Sequence, residues 1–160
     1  MGSSAHQKTR RNRRGVATVE FALVLPIIVI SLLGVLEVGR MIEVEEILFN
    51  AASVGGRAAS TGLNSATQVQ TAVLNYLASA GLPTQNATVT VNDLTNPNTD
   101  PTAASTLDQL QVVVSIPFSN VNWSGTNMFV SKTAVLNATV TWASANANVY
   151  PSNITVPPGN

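Results

Sequence analysis

The sequence predicts an α+β protein: a long N-terminal helix, a second helix and a small antiparallel sheet. Three observations carry this. Apolar residues run almost unbroken from Val16 to Leu36, helical spacing of apolar residues continues to Ala80, and beyond Pro83 the apolar period drops to two. Charge placement sharpens the picture. The 160 residues hold eight Lys+Arg, eight Asp+Glu, one His and no Cys, and only 10% are charged, against the usual ~25%. Five bases (Lys8, Arg10, Arg11, Arg13, Arg14) lie in the first 14 residues with no acid among them. From Thr61 to Asn160 only Asp93, Asp100, Asp108 and Lys132 are charged.

These numbers exclude several functions. The far half lacks the clustered Lys/Arg that nucleic-acid binding needs, so no nucleic-acid partner is expected. Without cysteine there is no disulfide, thiol nucleophile or thiolate metal site. The one histidine, His6, lies in the polar N-terminal tail. No catalytic residue, metal site or cofactor is expected.

The first element is the apolar run. Val16 to Leu36 is 21 residues with only Thr18, Glu20 and Ser31 polar, enough for one helical crossing of a ~30 Å hydrocarbon core. A buried core helix would show a polar stripe, and Phe21 to Ile30 shows none. Five bases stand before the run; four acids (Glu37, Glu43, Glu45, Glu46) and Arg40 stand just after it. Basic flanks stay in the cytoplasm, so the N-terminus is expected inside and the chain after Leu36 exported. A cleaved secretory signal fits poorly. Small residues at the positions one and three before a cut are missing: Gly34 follows Leu32 by two, and Gly39 follows Glu37.

Glu20 is the odd residue within the run, because an ionised carboxylate costs a few kcal/mol toward a bilayer centre. It either snorkels or is protonated at headgroup level, or it meets a positive partner. Arg13-Arg14-Gly15 lies just upstream, and Gly15 is followed five residues later by Glu20 and then Phe21. This arrangement resembles the type IV prepilin processing site, which implies cleavage after Gly15 by a membrane prepilin peptidase. Val16 becomes the first mature residue and Glu20 the fifth. The new α-amino group, with a reference pKa of ~8, would pair with the glutamate of a neighbouring subunit, with Glu20-Phe21 as the assembly site.

The run from Arg13 to Arg40, with Glu20-Phe21, Pro26, Gly34, Glu37, Gly39 and Arg40, resembles the TadE-like family of tight-adherence (Tad, or Flp) pilus minor pseudopilins. Ala51-Ala52 and Gly56-Arg57-Ala58-Ala59 extend the likeness to about residue 60. Phe21 in place of Tyr and Val16 as first mature residue depart from many major pilins. The resemblance implies a pilin-like plan and a subunit held in the bacterial inner membrane until it enters or primes an extracellular pilus. It also implies partners: a prepilin peptidase, other pilin or pseudopilin subunits, the platform proteins of the assembly machine, a cytoplasmic ATPase and the lipid bilayer. The alternative is an unprocessed, signal-anchored adhesion or sensing domain.

Domain organisation follows as a basic leader (1–15), a transmembrane helix (16–36), a stalk extension (37–62) and an exported headpiece with a flexible tail (63–160). Pro26 breaks one helix hydrogen bond, either as a tolerated membrane proline or as a bend; with Gly34 it marks transmembrane packing. Arg40 lies three residues from both Glu37 and Glu43, so local ion pairs are expected. Past the run, Glu46, Asn50, Ser53, Arg57 and Ser60 form a polar face. Opposite lie Ile47, Leu48, Ala51, Ala52, Val54, Gly55, Ala58 and Ala59, a small-residue stripe. It fits another subunit's helix or the chain's own sheet.

Gly62 and Asn64-Ser65 supply a break and a new cap, and Ala66, Val69, Val73, Tyr76, Leu77 and Ala80 mark the second helix, closed by Gly81 and Pro83. Three strands follow, with inward faces Ala87/Val89/Val91, Leu110/Val112/Val114/Ile116 and Ala134/Leu136/Ala138/Val140/Trp142. One apolar face per strand predicts a sheet covered on that side by the helices. Residues 93–109 read as a turn-rich loop. Its Asp93, Asn96, Asn98 and Asp100 offer oxygens to Ca²⁺ but lack the glycine and closing glutamate of an EF-hand loop. Phe118, Trp123, Met128, Phe129 and Tyr150 are loop aromatics and a methionine that either anchor a partner or cap the sheet. Sequons at Asn86, Asn122, Asn137 and Asn153 are about what the Asn/Ser/Thr-rich composition yields by chance, roughly three.

Overall fold

The computed structural model describes residues 13–122 and 128–146, arranged as an α+β fold. The leader residues before Arg13, Trp123, Tyr150 and the Asn153 sequon lie outside the described residues.

Helix α1 spans Arg13–Ser60 without interruption, and Pro26 sits inside it. At 1.5 Å per residue its 48 residues extend about 72 Å. It ends at Gly62, whose φ of +67° is a left-handed conformation that costs glycine little. The Gly62 amide closes the last turn on Ala59 O at 3.1 Å. Helix α2 spans Ala66–Ser79 and opens with a capping box: the Ser65 hydroxyl accepts from Gln68 N, and the Gln68 side chain accepts from Ser65 N. It closes with Leu82 N donating to Leu77 O and Gly81 N to Ala78 O, the paired bonds of a Schellman motif. Both boundaries fall where the sequence places them.

Strands β1 (Thr88–Asp93), β2 (Gln109–Pro117) and β3 (Val135–Ala143) form an antiparallel meander in the order β1-β2-β3. Register follows the period-two pattern: Val91 opposes Val112, and Val112 opposes Val140. Leu110, Val112, Val114 and Ile116 are fully buried on one face, joined by Leu136 and Ala138. Helix α1 covers that face over β3 and β2, and α2 covers it over β1. The core is therefore one layer of helix on one layer of sheet.

The half of α1 beyond Glu37 is the spine of this headpiece. Val44, Leu48, Ala51, Ala52 and Ala59 are all fully buried in the core. The small-residue stripe thus packs on the chain's own sheet and second helix, resolving the two readings of it. A Cβ built on Gly55 would stand 2.6 Å from Val73 Cγ2 and 3.1 Å from Val112 Cγ1, and one on Gly56 would strike the Trp142 ring. Val73 and Val112 are fully buried and cannot step aside. Glycine at 55 lets α1 approach α2 and β2 together, and that close packing outweighs the ~1 kcal/mol of helix propensity it forfeits. Two assignments on this stripe change. Ser60, expected on the polar face, is buried, and Val54, expected opposite, is exposed.

Candidate functional site

Two stretches of α1 differ in surroundings. Every residue from Gly15 to Leu32 is exposed, apolar side chains included. This helix is long and apolar enough to cross a membrane. Burial begins at Leu33 and Gly34 and becomes complete at Glu37.

In the first stretch, Glu20 stands beside Ala17, Phe21 and Val24. It has no hydrogen-bond or ion-pair partner among the described residues. Gly15 has open space around it: a Cβ there would meet nothing within 4 Å. Neither residue is required by packing among the described residues. Val16 and Phe21 are likewise exposed. Pro26 sits in the same exposed stretch, with the helix continuing on both sides.

At the second stretch the structure brings together residues far apart in sequence. Glu37, 1% exposed, accepts the amide of Phe129 at 3.0 Å through Oε2 and that of Val130 at 3.4 Å through Oε1. Arg40 donates from Nε to Val121 O at 3.1 Å and from its guanidinium to Glu43 Oε2 at 2.9 Å. Local pairing of Arg40 with both acids is therefore corrected. Glu43 keeps the ion pair, while Glu37 turns to backbone amides, because a buried carboxylate needs donors on the side facing the core. Gly34 belongs to the same junction. A Cβ on it would sit 3.0–3.3 Å from the Phe129 ring, so its close neighbour is this chain's own loop before β3. Sequence reasoning missed the clasp formed by Glu37, Arg40, Phe129 and Val130. The available signal was an acid and a base immediately beyond an apolar run, followed 90 residues later by an apolar loop.

The loop aromatics divide. Phe118 is fully buried and caps the core, whereas Met128 and Phe129 are exposed. The 93–109 connection is stitched rather than loose. Asp93 Oδ1 accepts from Thr95 N and Asn96 N, and Asp108 Oδ2 accepts from Asn96 Nδ2 and Ser105 N. Asp100 caps the 3₁₀ turn Pro101–Ala103 and accepts from Ala66 N at 3.0 Å at the start of α2. Among the described residues, no three carboxylate or histidine side chains come together as a metal-holding group.

The bond from the Ala66 amide, then that from the Thr102 hydroxyl, lowers the Asp100 pKa below 3.8. A depressed carboxylate pKa contributes stability that is fully present above the unfolded value and is lost as pH falls through the folded one. Asp100→Asn is therefore expected to narrow its stability deficit relative to wild type on acidification below about pH 4. The effect is small because the carboxylate is partly solvated. Thermal unfolding of the detergent-solubilised full chain between pH 2.5 and 6 measures it; a deficit that stays constant across that range rules this linkage out.

Residues 15–57 match the family model described as TadE-like protein. No curated protein and no solved structure matches the chain.

Proposed function

We propose, from the TadE-like character of residues 15–57, that this chain is a minor pilin or pseudopilin of a Tad/Flp pilus. It is made as an inner-membrane precursor, cleaved after Gly15 by a prepilin peptidase, and assembled into or used to prime a fibre for surface adherence. Its role is structural rather than catalytic. The observation that carries this reading is Glu20: a carboxylate without a partner among the described residues, on an apolar stretch that those residues leave exposed.

The physical sequence of events is simple. A helix exposed all round needs another medium, first lipid and then the helices of neighbouring subunits. Arg13 and Arg14 hold its start in the cytoplasm, and the headpiece follows on the exported side. Cleavage after Gly15 creates a cationic amine at Val16. In a fibre that amine meets Glu20 of a neighbour, and the cost of leaving either charge unpaired at low dielectric fixes the axial register. Other pilin subunits, platform proteins and a cytoplasmic ATPase are the partners this scheme needs.

Gly15 supports the scheme from the negative side, since nothing among the described residues demands a glycine there. A requirement imposed by an outside protease would explain it. Mass spectrometry of the membrane fraction is expected to find a chain beginning at Val16. Gly15→Leu is expected to leave the chain inserted with residues 1–15 retained. If the wild-type chain keeps those residues, it is a signal-anchored adhesion or sensing domain instead.

A further inference from the structure

We propose that the segment Met128-Phe129 is a lipid-binding foot, through which the headpiece rests in the exported-side leaflet of the membrane. This rests on the membrane-spanning reading of α1 and adds a second, non-helical contact with the bilayer.

The placement follows from the clasp. The Phe129 ring lies against Gly34, two residues inside the end of the apolar run at Leu36, or about 3 Å along the helix axis. Val130 packs on the headpiece core, and Glu37 holds the amides of Phe129 and Val130. Phe129 and Val130 are thus fixed at that height from both sides. Phe129 remains 52% exposed and Met128 56% exposed, as much as Leu32 on the helix below at 58%.

Continuity decides the occupant. Phe129 lines one apolar groove with Ile30, Val35 and Val38. Val35 and Val38 are exposed, so whatever medium covers the upper end of the run covers the Phe129 ring as well. For a single subunit spanning a bilayer that medium is lipid. An aromatic ring at the boundary between hydrocarbon and headgroup occupies the depth that such rings favour. Charge agrees: the acid at this height, Glu37, is buried and occupied by amides, while Lys132, exposed three residues past Phe129, can meet headgroup phosphate. The foot also has a mechanical consequence. Glu20 lies 14 residues before Gly34, about 21 Å along the axis, so seating the foot sets how deep Glu20 sits near the opposite boundary.

The absence of cysteine permits a clean test on the full-length protein. Single nitroxide labels are placed at Met128→Cys, Leu32→Cys and Leu107→Cys in phosphatidylethanolamine/phosphatidylglycerol vesicles. Collision with oxygen is compared with collision with a water-soluble nickel chelate. Leu107, an exposed leucine of the 93–109 loop, is the aqueous reference. The Met128 label is expected to favour oxygen severalfold, as Leu32 does, while Leu107 favours nickel. A Met128 label that reads like Leu107 while Leu32 reads lipid overturns the foot and leaves the span standing. A Leu32 label that reads water overturns the span and the foot together. Shielding of Met128 from both reagents would mean a protein partner covers it, which also overturns the proposal.

Discussion

Glu20→Ala is expected to abolish productive pairing of this subunit with its pilin partners while leaving membrane insertion and removal of residues 1–15 intact. The cost falls on the neighbour rather than on this subunit. Removing the carboxylate leaves the amine of an adjacent Val16 charged, unpaired and enclosed among apolar helices. Breaking a buried pair from one side costs about 3–5 kcal/mol, which lowers the equilibrium constant for adding each subunit by more than ~100-fold. The loss falls at each contact this subunit makes with a neighbour's amine. Within the described chain Glu20 has no partner, so the isolated subunit loses nothing. Glu20→Gln is expected to fail similarly, because the amide keeps a hydrogen bond but supplies no charge. Immunoblots of sheared surface fibres against membrane fractions, with N-terminal mass spectra, separate the steps. Wild-type amounts of the Glu20→Ala chain in the sheared fibres would show that the helices find register without it.

The second large effect is at the clasp. Glu37→Ala is expected to destabilise the headpiece by about 3 kcal/mol, since the Phe129 and Val130 amides lose a charged acceptor at a junction closed to water on one side. For a domain of this size that corresponds to a fall in Tm of about 10–20 °C. Hydrogen exchange localises it: the amides of residues 129 and 130 should exchange on the order of 100-fold faster, ahead of those in β2. Glu37→Gln keeps one acceptor oxygen and should lose about half as much. The bond from Arg40 to Val121 O does not involve Glu37, so the loop is expected to be loosened rather than released. Unchanged exchange at 129 and 130 in Glu37→Ala would mean the carboxylate is incidental to the loop's position.

The two carboxylates were unequally legible. Glu20 announces itself by local contrast, one acid in an apolar run five residues after a glycine. Glu37 looks like half of an ordinary helix-surface ion pair with Arg40, because the competing donors arrive from 92 residues away. The same contrast holds for the fold. The inward faces Leu110/Val112/Val114/Ile116 and Leu136/Ala138 were readable because strand geometry forces alternation, and Ser65 and Gly81 because helix ends need particular residues. The ambiguous feature was the stripe around Gly55 and Gly56. Small residues admit any close neighbour, and spacing alone does not say whether that neighbour is Val73 and Trp142 of the same chain or another subunit.

The sequence by itself determined that the apolar run from Val16 would stay largely exposed, since apolar side chains facing every direction cannot all be buried by one small headpiece. It also set the number of strands and their phase, because periodicity is a property of the backbone. Only the tertiary structure decided where along α1 exposure gives way to core, at Gly34 to Glu37, and that Phe129 comes down to that level. Those placements depend on contacts between segments distant in sequence, whose geometry no local pattern encodes.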